Sequence, residues 1–249
     1  MEGFAYCKVS VSPVRASASD RAEMVTQLLF GELIEVTGRD QQWLSIRTYY
    51  DNYEGWIDGK QVHLLSQKEV KRWLDGLTIE TALVRQLKTP WGNQLITRGA
   101  FIPIVSTSFS IGQDQFELVD ERTEEPKTVS ELALRYENTP YLWGGKTPFG
   151  IDCSGLMQSV HRFFDINLPR DASQQAELGM EIFFGEHQTG DLAFFQNKDG
   201  KVNHVGLILD QHTIIHASGW VRLDDFTDRG IVRRTDNQLS HPIYSIKRL

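Results

Sequence analysis

Cysteine is scarce in this chain. Two residues, Cys7 and Cys153, among 249 cannot build a disulfide framework, and no CxxC pair marks a metal ribbon. An excess of basic charge is absent as well. The 26 Lys and Arg face 33 Asp and Glu, leaving a formal net charge of -7 and a pI near 5.5. Nucleic acid or an anionic membrane would require a basic face, so neither partner is expected, and tight adsorption to an anionic wall is disfavoured. Long apolar runs are missing too. No segment approaches a membrane span of about 20 residues. Residues 1–8 carry no basic stretch followed by an apolar run, so a cytoplasmic protein is expected.

What is present is an ordinary globular composition, 40% hydrophobic and 24% charged. Its length suits two or three small domains. Within residues 1–65, short apolar alternations recur at Leu33–Val36, Trp43–Arg47 and Glu54–Ile57. Turn-forming residues separate them at Gly38-Arg39-Asp40 and Tyr50-Asp51-Asn52. Strands this short and this closely spaced predict a small β-barrel, with Cys7 on one of its strands. Residues 66–124 open with a helical turn at Lys68–Leu74. Short β-like runs follow at Ala82–Val84, Phe101–Val105 and Phe116–Val119, consistent with a second, divergent barrel. The polar run 120–127 reads as a linker.

The character changes at Thr128. Thr128-Val129-Ser130-Glu131 fits a capping box, and Leu132, Leu134 and Tyr136 begin a helix. A second helix is predicted from Asp152, with Leu156, Met157, Val160, Phe163 and Phe164 as its apolar stripe. After Pro169 the pattern becomes strands, at Asp191–Phe195, His204–Leu209 and Thr213–His216. Helices followed by a meander give an α+β class for residues 125–249.

Cys153 stands where an Asp N-cap hands over to a helix. Unpaired first-turn N–H groups and the positive end of the dipole would favour its thiolate. A lone cysteine is more commonly a small buried hydrophobe. Here the Asp-Cys-Ser-Gly setting and an available base point to a nucleophile. His204 begins one strand and His216 ends the next, so a hairpin would bring the two imidazoles opposite each other or one step apart. One could serve as base and the other as its orienting partner. The other histidines, 63, 161, 187, 212 and 241, read as solvated. A zinc site built from Cys153, His204 and His216 lacks a close-spaced ligand pair. Gly144-Gly145-Lys146-Thr147 fails as a P-loop, because Pro140 occupies the place of the leading glycine.

The ordered set Tyr141-Leu142-Trp143-Gly144-Gly145, Asp152-Cys153-Ser154-Gly155, Leu168-Pro169-Arg170, Gly190-Asp191-Leu192 and His204-Val205-Gly206 resembles the NlpC/p60 family of cell-wall peptidases. The stretch from Met24 to Val36, with the later Gly55-Trp56-Ile57, resembles bacterial SH3-like (SH3b) domains. Together they imply a papain-like NlpC/p60 catalytic domain at 125–249, preceded by one or two small SH3-like β-barrels at 1–65 and 66–124. The resemblance implies Cys153 as nucleophile, His204 as base, His216 as the third member and Tyr141 near the oxyanion. It also implies substrate contacts at Asp152, Ser154, Trp143 and Ser173. No metal or organic cofactor is implied.

The whole resembles the members that cut the γ-D-glutamyl–L-diamino acid bond of free cell-wall peptides in murein recycling. Such an enzyme must bind a free ammonium, which needs carboxylate partners. Asp152 would supply one. Similarity points to Glu23 and Tyr53 as further contacts, with Glu54 in reserve. A small muropeptide is the expected partner, and a monomer the expected state. Two other readings stand beside this one: a secreted endopeptidase acting on polymeric peptidoglycan, and a wall-binding module with secondary catalysis.

Overall fold

The computed structural model describes residues 3–104, 106–119 and 124–249. The linker expected at 120–127 therefore lies partly outside the described residues, as does Val105. The chain forms two compact units, Met1–Glu125 with Lys146–Pro148, and Pro126–Gly145 with Phe149–Leu249.

The first unit begins with strands β1 (Gly3–Cys7), β2 (Val11–Arg15), β3 (Met24–Leu29), β4 (Leu33–Asp40), β5 (Trp43–Thr48), β6 (Glu54–Asp58) and β7 (Val62–Leu65). They form one antiparallel sheet in the order β3-β2-β6-β5-β4-β1-β7. The inward residues form one core, including Ala5, Cys7, Val14, Leu28, Ile34, Ile46 and Ile57. Gly38-Arg39-Asp40 is not the expected turn. It lies inside β4 beyond a register shift, and the chain reverses at Gln41, which takes the left-handed conformation (φ 51°). The Tyr50-Asp51-Asn52 turn is present, with Asn52 left-handed at φ 54°.

Helix α1 (Gln67–Leu74) starts at a complete capping box. Ser66 accepts from the Glu69 N–H, and the Glu69 carboxylate accepts from the Ser66 N–H. Next come β8 (Leu77–Ile79), β9 (Val84–Thr89), β10 (Gly92–Thr97), β11 (Phe101–Pro103), β12 (Ser108–Ile111) and β13 (Asp114–Leu118). Four of these make a sheet of order β10-β9-β13-β12, and β11 pairs with β8. The two-residue strand β14 (Lys146–Thr147) belongs to this unit. The Lys146 ammonium is buried against the Glu32 carboxylate at 3.0 and 3.2 Å. Its string's likeness to a phosphate loop is thus only superficial.

The second unit contains α2 (Val129–Leu134), β15 (Gly150–Ile151), α3 (Cys153–Arg162), α4 (Ala172–Gln175), β16 (Met180–Ile182), β17 (Leu192–Gln196), β18 (Val202–Ile208), β19 (Thr213–Ser218), β20 (Trp220–Thr227), β21 (Gly230–Val232) and β22 (Leu239–Arg248). Thr128 caps α2 by accepting from the Glu131 N–H, but the Glu131 carboxylate accepts from Lys127 N–H, so the box is only half made. Helix α3 ends at Arg162, one residue before the expected Phe163 and Phe164, and α4 interrupts the region read as strands.

The strands run β16-β22-β17-β18-β19-β20-β21, and a further β21–β22 pairing closes six of them on themselves. Closure explains the run Leu192-Ala193-Phe194-Phe195, which is apolar at every position because both faces are buried. Leu192 and Phe194 join the core that also holds α2, α3 and α4, whereas Ala193 and Phe195 join a second core with Ile208, Ile214, Phe226, Ile231 and Ile246. Asp191 anchors the end of this arrangement, accepting from Arg248 Nε and Nη2 at 2.8 Å each. The whole chain is α+β, as expected.

Candidate active site

Cys153 is the first residue of α3. Asp152 precedes it in extended conformation and caps the helix, its Oδ1 accepting from the Gly155 N–H at 2.7 Å. The same carboxylate accepts from Gly144 N–H at 2.8 Å and from Arg170 at 3.0 Å (Nη1) and 2.5 Å (Nη2). Arg170 Nη1 also donates to Ser154 Oγ at 2.9 Å. Gly155 is required because a Cβ there would stand 2.4 Å from the Gly145 carbonyl oxygen. These contacts explain the spacing of Gly144-Gly145, Asp152-Cys153-Ser154-Gly155 and Arg170 as one buried lock around Cys153. They also change the role of Asp152: both its oxygens are occupied inside the protein, so it holds the loop together and is not a spare carboxylate for a ligand ammonium.

The thiol does not rest as a thiolate. Burial pushes Cys153 up to about 12, and the neighbouring Asp152 charge pushes the same way. The backbone N–H groups of Val205 and Ser154, with Arg170, pull it down but do not prevail. The helix N-terminus, expected to dominate, is outweighed by desolvation. Tyr141 is half-buried nearby. Burial first, then the proximity of Cys153 and Asp152, holds its hydroxyl up at about 12, so it remains a proton donor.

His204 and His216 do meet. The register pairs His216 with Gly206, so the two histidines are diagonal neighbours and not directly opposite. His204 Nε2 lies 2.9 Å from His216 Nδ1, and His216 Nε2 lies 3.0 Å from Asp224 Oδ2. Asp224 is buried and ionised. Hydrogen bonds from His216, Arg234 and Arg222 outweigh its burial and bring it to about 2. A carboxylate only accepts, so His216 carries its proton on Nε2 and offers a lone pair at Nδ1. His204 must then donate from Nε2, which leaves its own Nδ1 as the basic nitrogen. Burial, His216 and His241 hold His204 well below the usual histidine range, and burial depresses His216 as well. Both are neutral near pH 7. Asp224 sets one tautomer and thereby the next.

The sequence missed Asp224, gave Arg170 a place in a motif but no role, and misread four histidines. His161 and His187 are buried, and His63 is half-buried against Asp114. His241 stacks on His204, with centroids 4.1 Å apart and planes 24° from parallel. Only His212 is exposed as expected. The nitrogens of His204, His216 and His241 fall within 4.8 Å of one another. Stacked rings, however, aim their in-plane lone pairs side by side and not at one tetrahedral centre.

Among the other expected contacts, Ser154 is buried, while Trp143 and Ser173 are exposed on the second unit. Glu23 and Tyr53 belong to the first unit. The Glu23 carbonyl accepts from Ala16 N–H, and Tyr53 N–H donates to Thr48 Oγ1.

The model of the NlpC/P60 family matches residues 138–239, and the bacterial dipeptidyl-peptidase Sh3 domain matches residues 14–62. The chain carries an NlpC/P60 domain, the domain of a cysteine peptidase family. The chain is 28% identical over 213 residues to the gamma-D-glutamyl-L-lysine dipeptidyl-peptidase of Bacillus subtilis (strain 168), spanning 77% of this chain and 71% of the relative. It is 29% identical over 231 residues to dipeptidyl-peptidase 6 of Lysinibacillus sphaericus, spanning 79% and 81%. Its fold matches the crystal structure of an NlpC/P60 family protein from Bacillus cereus ATCC 10987, with a TM-score of 0.78 and 18% identity over 99% of both chains.

Proposed function

We propose that this protein hydrolyses the γ-D-glutamyl–L-diamino acid bond of free peptidoglycan peptides that begin with L-Ala, releasing L-Ala-γ-D-Glu for recycling in the cytoplasm. The observation that carries the reading is the Asp224–His216–His204 relay, which leaves a basic Nδ1 in a unit whose helix N-terminus presents Cys153. The names of the Bacillus subtilis and Lysinibacillus sphaericus relatives supply the bond and the dipeptide product.

In the proposed reaction, Cys153 Sγ bonds to the γ-carbonyl carbon while its proton passes to His204 Nδ1. Among the described residues the Cys153 N–H and the Tyr141 hydroxyl have no internal hydrogen-bond partner. Both suit a developing oxyanion. The imidazolium then protonates the leaving amine as the C–N bond breaks. Water attacks the thioester, gives its proton to His204, and the returning thiol takes that proton back. No step calls on a metal. The muropeptide is the proposed partner, and the proposed enzyme is a monomer.

The ammonium of L-Ala remains to be placed. Asp152 is withdrawn from that role, while Glu23 and Tyr53 stay as proposals from the sequence resemblance. The test compares a free tripeptide with its N-acetylated form in wild type, Glu23→Ala and Tyr53→Phe, with products identified by mass spectrometry. Selective cleavage of the free form supports the dipeptidyl-peptidase reading. Equal cleavage of both forms, or activity on polymeric peptidoglycan only, contradicts it.

A further inference from the structure

His241 lies on β22, beyond the segment that the family model matches. Nothing in the relay requires it, yet its centroid lies nearer that of His204 than does the centroid of His216 or Phe195. Its ring covers one face of His204 at 4.1 Å. His216 meets His204 edge-on at 5.0 Å and 86°, and Phe195 leans on it at 5.8 Å and 44°. Phe195 and His241 touch each other at 6.1 Å. The closure of β21 onto β22 delivers this contact, with His241 opposite Ile231 in the register.

We propose that His241 is a positioning residue for the peptidase reaction: its ring clamps His204 in the plane from which Nε2 meets His216 and Nδ1 stays available to the thiol. An imidazole bonded through one nitrogen alone can still pivot about that bond. A flat partner on its face removes this freedom, and an acid–base group displaced by about 1 Å loses on the order of 100-fold in rate. The ring also bears on the proton balance of the base: it shields His204 from water, which keeps the imidazole neutral at rest, and a protonated His241 would repel the imidazolium formed during the reaction.

Several groups bear on that protonation. His204, His216, Arg222 and Arg233 oppose a charge on His241, and Asp224 favours it. Ser240 Oγ shares a hydrogen bond with His241 Nδ1 at 2.9 Å. Burial contributes most, and His241 falls to about 4. The clamp therefore remains uncharged wherever the peptidase works near neutrality.

The proposal rests on His204 as the base, and the experiment separates the two claims. Purified wild type, His204→Ala, His241→Ala and His241→Phe are compared for kcat, KM and the pH dependence of kcat/KM. Rates are normalised to the fraction of Cys153 that iodoacetamide labels. For His241→Ala we expect kcat to fall about tenfold or more with KM little changed, and the acid limb to move to higher pH. Phenylalanine restores the stack and should recover most of that loss. A normalised His241→Ala enzyme with wild-type kcat and acid limb, beside an inactive His204→Ala, overturns the clamp alone. A Phe variant as impaired as Ala also overturns it. A fully active His204→Ala defeats the underlying assignment of the base.

Discussion

His216 accepts from His204 at Nδ1 (2.9 Å) and donates to Asp224 from Nε2 (3.0 Å), so one carboxylate dictates which nitrogen of His204 is basic. Cys153→Ala should abolish turnover, and His204→Ala should come close to doing so. His216→Ala and Asp224→Ala should each cost less, on the order of 10-fold to 100-fold in kcat. Because Asp224 acts through His216, the double variant should be no slower than the worse single one. Multiplying losses in steady-state kinetics would show that the two act independently.

The neutral resting pair has a kinetic signature. With Cys153 held near 12 and His204 neutral, iodoacetamide labelling of the free enzyme should climb with pH from 7 to 10 without a plateau. A preformed thiolate–imidazolium pair would instead give a flat rate through neutrality. Cys7, buried in β1 with its thiol raised by burial, should label far more slowly. Peptide mapping after timed quenches reads both sites.

Buried neutral histidines set the acid stability. His161 and His241 lie at about 4 and His216 and His204 also below 6.5, so the unfolded chain binds more protons than the folded one in that window. Stability should therefore fall as pH drops from about 6.5 toward 4, with His161 alone accounting for up to about 3 kcal/mol. Asp224, lowered from 3.8 to about 2, adds a further loss below that range. Melting temperatures across pH 7 to 4 check this, and a flat profile would contradict it.

Arg170 and Asp152 should behave as structural partners. Arg170→Ala leaves a buried carboxylate unpaired and should destabilise the catalytic unit by about 3–5 kcal/mol. Asp152→Asn should likewise lower the melting temperature. If Asp152→Asn were as stable as wild type and raised KM only for peptides with a free amine, the carboxylate would serve the substrate after all.

The place of Cys153 at a capped helix start was legible in the sequence because the signals are local. Asp152, Cys153 and Gly155 sit within four residues, where an N-cap, a helix start and a close backbone approach each demand a particular residue type. The two relay histidines were legible because a single hairpin joins them. Asp224, the stacking of His241 and the pairing of Arg170 with Asp152 were not. Each reaches the site through tertiary structure, Asp224 by pairing of β19 with β20, Arg170 by the return after α3, and His241 by sheet closure. No periodicity announces closure, and an isolated histidine on a strand gives no sign of which ring it will cover. The resting charge of the thiol was misjudged for a related reason. A helix N-terminus is visible in sequence, whereas the depth of burial that outweighs it is not.

The most direct measurement is the intact mass of the enzyme, acid-quenched within its first turnovers of the free tripeptide L-Ala-γ-D-Glu-L-diamino acid. The account predicts an adduct with the mass of the L-Ala-γ-D-Glu acyl group, mapping to Cys153 and absent from Cys153→Ala, with the free diamino acid released at once. Continued turnover by Cys153→Ala, or an acyl group carrying any other part of the peptide, would contradict it.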